Sequence, residues 1–179
     1  SVDQEQSFLH IKKTNPNFAI ISQNGIELVT KNGDENGDLA TDYLNAIDGN
    51  GQEDLFYGYE EDDKETPTTD SNYLISFLDI SKKQGKTILT IDYCSTQVKM
   101  SNSVLLNSNK NYISFAANHR ELNNIPDFPL KIKNENSQII TKLSQAQNFL
   151  YLINPENFTS KNQFITAVTA TNYDVLIMD

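Results

Sequence analysis

The chain has 179 residues, a formal net charge of −10, a pI near 4.6 and 37% hydrophobic residues. That length supports one domain with a real core, and the acidity argues against nucleic acid and anionic membrane surfaces, both of which select basic patches. No apolar run approaches the ~18 residues of a membrane span, and the missing signal peptide decides nothing, because a mature secreted protein has lost it.

Residues 4–13 carry Phe8, Leu9 and Ile11 and read as an amphipathic helix stopped by Asn15-Pro16-Asn17. Phe18-Ala19-Ile20-Ile21-Ser22 is a continuous apolar run of strand length, which ends in Gln23-Asn24-Gly25. Amides at that position suit a ligand or cap the next segment. Lys31 to Asp38 is a Gly/Asn/Asp loop without the alternating acids and distal Glu of a calcium loop. Residues 39–46 read as a short helix leading into Ile47 to Tyr59, where Asp48, the glycines and Glu53 precede the apolar run Leu55-Phe56-Tyr57. An acid at the edge of a core is a candidate catalytic group; the alternative is a tight surface turn with solvated acids.

The acidic run 60–65 reads as a solvated loop. From Asp70 to Gln84, Tyr73, Leu74, Phe77, Leu78 and Ile80 share one helical face, with Asp70 or Ser71 as N-cap and Gly85 as the terminating glycine. Thr87 to Ile91 is a second buried strand, closing in Asp92-Tyr93. Residues 95–111 are rich in Ser and Asn and show no clear period. Tyr112 to Ala117 and Phe149 to Ile153 read as strands, and 164–169 as a helix. The chain closes on a strand from Tyr173 to Asp179, which expects a crossover helix and a neighbour and so predicts truncation or cleavage after Asp179. Alternating helices and strands argue for parallel βα units.

The lone Cys94 permits no internal disulfide and reads as a buried thiol. His10 and His119 are far apart, so a zinc site would need carboxylates or Cys94 to complete it, and no metal is assigned. His119 reads as a loop or packing residue.

Taken together, Ile20-Ile21-Ser22-Gln23-Asn24-Gly25, Asp48 to Tyr57, Thr90-Ile91-Asp92-Tyr93, Tyr112 to Ala117 with Arg120-Glu121-Leu122, and Ile177-Met178-Asp179 form an ordered set. With it, the chain resembles the bacterial and archaeal relatives of the endo-α-1,4-polygalactosaminidase family of glycoside hydrolases, from about Asn17 to Asp179. The resemblance implies an α/β fold: about half of a (β/α)8 TIM-type barrel of parallel strands with crossover helices, as one partial domain over 1–179. Its site would lie at the C-terminal strand ends. In the family the segment resembling Leu150 to Asp179 comes first, so the order here implies circular permutation or a junction of tandem barrels.

The same resemblance implies hydrolysis of an α-linked, amino-sugar-containing extracellular polysaccharide by a secreted bacterial protein. Two carboxylates and water carry that reaction without metal or organic cofactor. Glu53 matches one catalytic carboxylate; its partner acid is expected in the remaining half of the barrel, from the same protein or another chain. Gln23, Asn24, Asp92, Tyr93 and Asp179 are expected to line the cleft, with Tyr57 stacking on a sugar face and Asp54 supporting. The alternative is a non-catalytic glycan-binding protein on the same scaffold.

Overall fold

The computed structural model describes residues 2–178. Helix α1 (Val2–Thr14) is followed by β1 (Ile21–Gln23), α2 (Thr41–Ala46), β2 (Gly49–Glu53), α3 (Thr68–Lys83), β3 (Thr87–Tyr93), α4 (Gln97–Asn109) and β4 (Ile113–Ala117). A long connection leads to β5 (Phe149–Tyr151), α5 (Lys161–Thr169) and β6 (Val175–Ile177). Strands β1 to β4 form one parallel sheet in sequence order, and β5 and β6 form a second, two-stranded parallel sheet. Parallel neighbours cannot be joined by a tight turn; α2, α3, α4 and α5 lie in the crossovers.

β3 shows how the sheet is buried on both faces. Its odd positions, Leu89, Ile91 and Tyr93, pack with Phe115, Phe149 and Leu150. Its even positions face the helices: Ile88 joins Phe77 and Leu78 of α3, while Thr90 and Asp92 bond to α4. The face carrying Leu89 and Ile91 is covered by β5 and β6, with the Phe115 and Phe149 rings 5.9 Å apart. Each fully buried Leu, Ile or Phe contributes about 1.5–3 kcal/mol, so truncating Phe77, with no exposed surface, costs about 3–5 kcal/mol.

The expected α/β architecture with parallel strands and crossover helices is present, and several boundaries move. β1 begins at Ile21, not Phe18, because pairing starts at Ile21 opposite Gly49 and Phe18 is half exposed. α3 starts at Thr68 behind Pro67, earlier than an Asp70 or Ser71 cap allows. The Ser71 hydroxyl instead donates to the Leu55 carbonyl at 2.6 Å. Gly85, at φ 77°, follows the α3 C-cap as expected.

The aperiodic stretch 95–111 contains α4, whose buried residues are Met100, Ser103 and Asn107. Two of the three are polar, so helical spacing leaves no hydrophobic trace. Among the described residues, no helix is long and apolar enough to cross a membrane, and no three of His, Cys, Asp and Glu come together as a metal site. Asp179 lies outside the described residues.

Candidate functional site

β2 reads Gly-Asn-Gly-Gln-Glu, yet its first four residues are buried. It sits between β1 and β3, hydrogen-bonded on both sides, and has little room. A Cβ on Gly49 would lie 2.6 Å from the Thr87 carbonyl oxygen, and one on Gly51 would lie 2.0 Å from Gln23 Oε1. These glycines therefore permit close approach within a strand; they do not form the turn that the sequence suggested. Asn50 turns to the helix side, where its Oδ1 accepts from Ser81 at 2.5 Å.

Glu53 ends β2, half buried, with both carboxylate oxygens held. Asn24 Nδ2 donates to Oε2 at 3.0 Å, and the Tyr93 hydroxyl donates to Oε1 at 2.5 Å. Asn24 Oδ1 accepts from the Glu53 backbone N–H at 3.1 Å and from Gln52 Nε2 at 3.3 Å, so one amide fixes both ends of Glu53. Gln52 is 6% exposed, and its Oε1 has no partner among the described residues. Residues on either side of the carboxylate adopt left-handed backbone: Asn24 at φ 56° and Asp54 at φ 59°. Asn and Asp tolerate this region better than other non-glycine residues. Such conformations concentrate where surrounding contacts over-determine the backbone, functional sites included.

The phenol of Tyr93 is pushed well up by burial, then by the Glu53 carboxylate, so it keeps its proton and acts as donor. Arg120 lies over its ring, with Cζ 3.9 Å from the centroid. The guanidinium donates to Asp54 Oδ1 at 2.9 Å, Asp62 Oδ1 at 2.6 Å and the Gly58 carbonyl at 2.8 Å. Burial opposes its charge, yet Asp54 and Asp62 hold its pKa well up. Asp54 is also raised, by burial and despite Arg120.

Gln23, Asn24, Glu53 and Tyr93 therefore meet at the C-terminal ends of β1, β2 and β3. Asp92 does not join them. It is completely buried on the opposite face, where its carboxylate accepts from the Phe56 and Tyr57 N–H groups, Ser103 and Asn107. The expectation that Asp92 faces a ligand is thus corrected: alternation along β3 places it opposite Tyr93. Tyr57 also departs from expectation. Its ring is 1% exposed and its hydroxyl is bound to Asn102 and Glu65, so it offers no face for stacking.

Cys94 is a buried thiol, pushed up by burial, and His119 is exposed. Gln52 and Tyr151 were not singled out from the sequence, and Arg120 appeared only as part of a motif. Tyr151 ends β5, packs in the same cluster as Tyr93, and has its phenol raised by burial and then by the Glu53 charge. The sequence ran this strand on to Ile153, whereas it ends at Tyr151, and its convergence on β2 is tertiary. Compared with known proteins, the chain matches no family model and no curated sequence.

Proposed function

We propose that the chain is the glutamate-bearing part of a glycoside hydrolase acting on an α-linked, amino-sugar-containing extracellular polysaccharide, like the endo-α-1,4-polygalactosaminidases it resembles. The observation that carries this reading is Glu53: a half-buried carboxylate at the C-terminal end of a parallel strand, gripped on both oxygens by Asn24 and Tyr93. Parallel strands taken in sequence order are also the winding of a (β/α)8 barrel, whose active sites lie at that end. The remaining strands of the barrel, from the same protein or another chain, supply the second carboxylate.

Glycoside hydrolysis uses one acid to protonate the leaving oxygen and a second carboxylate as nucleophile or base. Glu53 fits the second role. Its two donors orient the carboxylate, and the Tyr93 phenol, pushed up by burial and then by Glu53, keeps its proton and so stays a donor. Gln23 and Tyr151 flank Glu53 and bind sugar hydroxyls. The net charge of −10 suits a polymer bearing free amines, and the reaction needs no cofactor.

A second reading, a non-catalytic glycan-binding protein, is favoured by one fact. The neighbouring acids Asp54 and Asp92 are both taken up by internal partners. Assaying the full-length protein and Glu53→Gln on partially deacetylated α-1,4-galactosaminoglycan separates the two. Hydrolysis that falls about 10²–10⁴-fold in the variant supports the enzyme; equal rates remove Glu53 from the mechanism. Binding without hydrolysis in either protein supports the glycan-binding reading.

A further inference from the structure

The ends of β2, β3 and β4 are tied together by a single side chain. Arg120 reaches back from just beyond β4 to Asp54 after β2, lies over Tyr93 at the end of β3, and holds the intervening loop through Gly58 and Asp62. We propose that Arg120 is a positioning residue for Glu53, acting through Tyr93: the guanidinium fixes the ring so that the hydroxyl lands on the Glu53 carboxylate. This deepens the hydrolase reading and rests on it for its functional meaning; the positioning itself is a statement about the unliganded protein.

Three features converge on this role. First, the guanidinium is fixed in its plane by two carboxylates and a carbonyl, the rigid multi-donor grip that arginine supplies and lysine does not. A cation held over an aromatic face attracts the ring and restrains its tilt. Second, Asp54 adopts φ 59°, and its carboxylate meets Arg120 in that conformation, immediately after Glu53. Third, Gly58 is at φ 111°, and a Cβ there would lie 2.4 Å from Asp54 Oδ1, 3.0 Å from Arg120 Nη2 and 3.1 Å from Tyr93 Cβ. The loop has surrendered a side chain where these three residues meet. Tyr93 has no other hydrogen bond from its hydroxyl among the described residues, so the ring's placement decides whether Glu53 Oε1 has its donor.

The test is proton NMR of the Tyr93 hydroxyl, which a hydrogen bond of 2.5 Å shields from exchange. Its resonance is identified by its loss in Tyr93→Phe. Arg120→Ala is expected to speed hydroxyl exchange roughly tenfold or more, with Arg120→Lys intermediate because the charge survives without the fork. Asp62→Asn weakens only the exposed contact, stays folded, and is expected to raise exchange by a smaller factor. It provides the reading if Arg120→Ala does not fold. Unchanged exchange in the folded variants overturns the proposal. No substrate enters this measurement, so its outcome is separate from the Glu53→Gln assay, which bears on hydrolysis alone.

Discussion

The Asp92 carboxylate accepts the Phe56 backbone N–H at 2.8 Å, joining a fully buried acid on β3 to the loop that leaves Glu53. The same oxygen takes the Tyr57 N–H, while the other takes Ser103 and Asn107 of α4. Asp92 thus binds strand, loop and helix at one point. Asp92→Ala leaves four buried donors without an acceptor and is expected to lower stability by about 3–5 kcal/mol in chemical denaturation. Asp92→Asn keeps an acceptor for the loop but opposes donor to donor at Asn107 Nδ2, even where the Ser103 hydroxyl turns to accept. Its expected cost is smaller, about 1–3 kcal/mol.

The pH dependence of this group has a definite sign. Burial raises the Asp92 carboxyl, and its four donors pull it back only in part. The folded chain therefore keeps the proton to higher pH than the unfolded chain. Stability linked to Asp92 is greatest below the unfolded value near 4 and declines as the pH rises through the folded one. Denaturation midpoints from pH 3 upward are expected to show a shallower decline for Asp92→Asn than for the parent.

Asp63 behaves in the opposite way. Its Oδ1 accepts the Ser95 and Thr96 N–H groups, and Oδ2 accepts the Thr96 hydroxyl at 2.5 Å and Lys99 at 3.0 Å. It ties the residues leading into α4 to a distant loop, which the sequence presented only as a solvated acidic run. Burial pushes against ionisation, but the Thr96, Ser95 and Lys99 donors hold the carboxyl well below its usual range. Its contribution is present above about pH 4 and is lost as the pH falls towards the folded value. Asp63→Ala is expected to cost about 1 kcal/mol at neutral pH, and that cost is expected to shrink steadily as the pH falls below about 4. A cost independent of pH would show that the charge of Asp63 does not hold this junction.

Chain order, the α3 periodicity and the strand ends at Gln23 and Tyr93 were legible because each leaves a local mark: an apolar run, a spacing, a stop; Gly-Asn-Gly-Gln-Glu leaves none, so β2 read locally as a turn. Tyr57, in the loop after β2, was misplaced because its partners Asn102 and Glu65 are tertiary; Asp92 was misplaced for another reason. A strand buried on both faces has no polar side to reveal which way a residue points, so adjacent Asp92 and Tyr93 could not be told apart. α4 was hidden because its buried stripe, Ser103 and Asn107, exists to satisfy Asp92 and Thr90. The Arg120 hydrogen bonds span 58 to 66 residues, beyond the reach of any local pattern.

Tyr93→Phe removes one hydroxyl and keeps the ring under Arg120. Glu53 then retains only Asn24 on its carboxylate. Because Glu53 is half exposed, water replaces part of the lost bond, and the expected stability change is about 1 kcal/mol, below the ~1.5–3 kcal/mol of a buried charged hydrogen bond. If Glu53 acts as proposed, hydrolysis falls in kcat with KM nearly unchanged, since the hydroxyl serves the carboxylate and not the sugar. A rise in KM alone would instead place Tyr93 in substrate binding.

Gly49 and Gly51 are two positions apart on β2, yet their substitution by alanine is expected to differ. At Gly49 the obstacle is the Thr87 carbonyl, 2.6 Å from the new Cβ, and that carbonyl belongs to the backbone of the neighbouring strand. Relief requires the two central strands to separate, for about 1–3 kcal/mol or more. At Gly51 the obstacle is Gln23 Oε1, the end of a flexible, exposed side chain. That amide can swing away, so the stability cost is expected to stay below about 1 kcal/mol, with the displacement falling on the cleft beside Glu53. Urea denaturation measures the first difference, and glycan affinity the second. Equal destabilisation by both substitutions would mean that Gln23 is fixed as firmly as the Thr87 backbone.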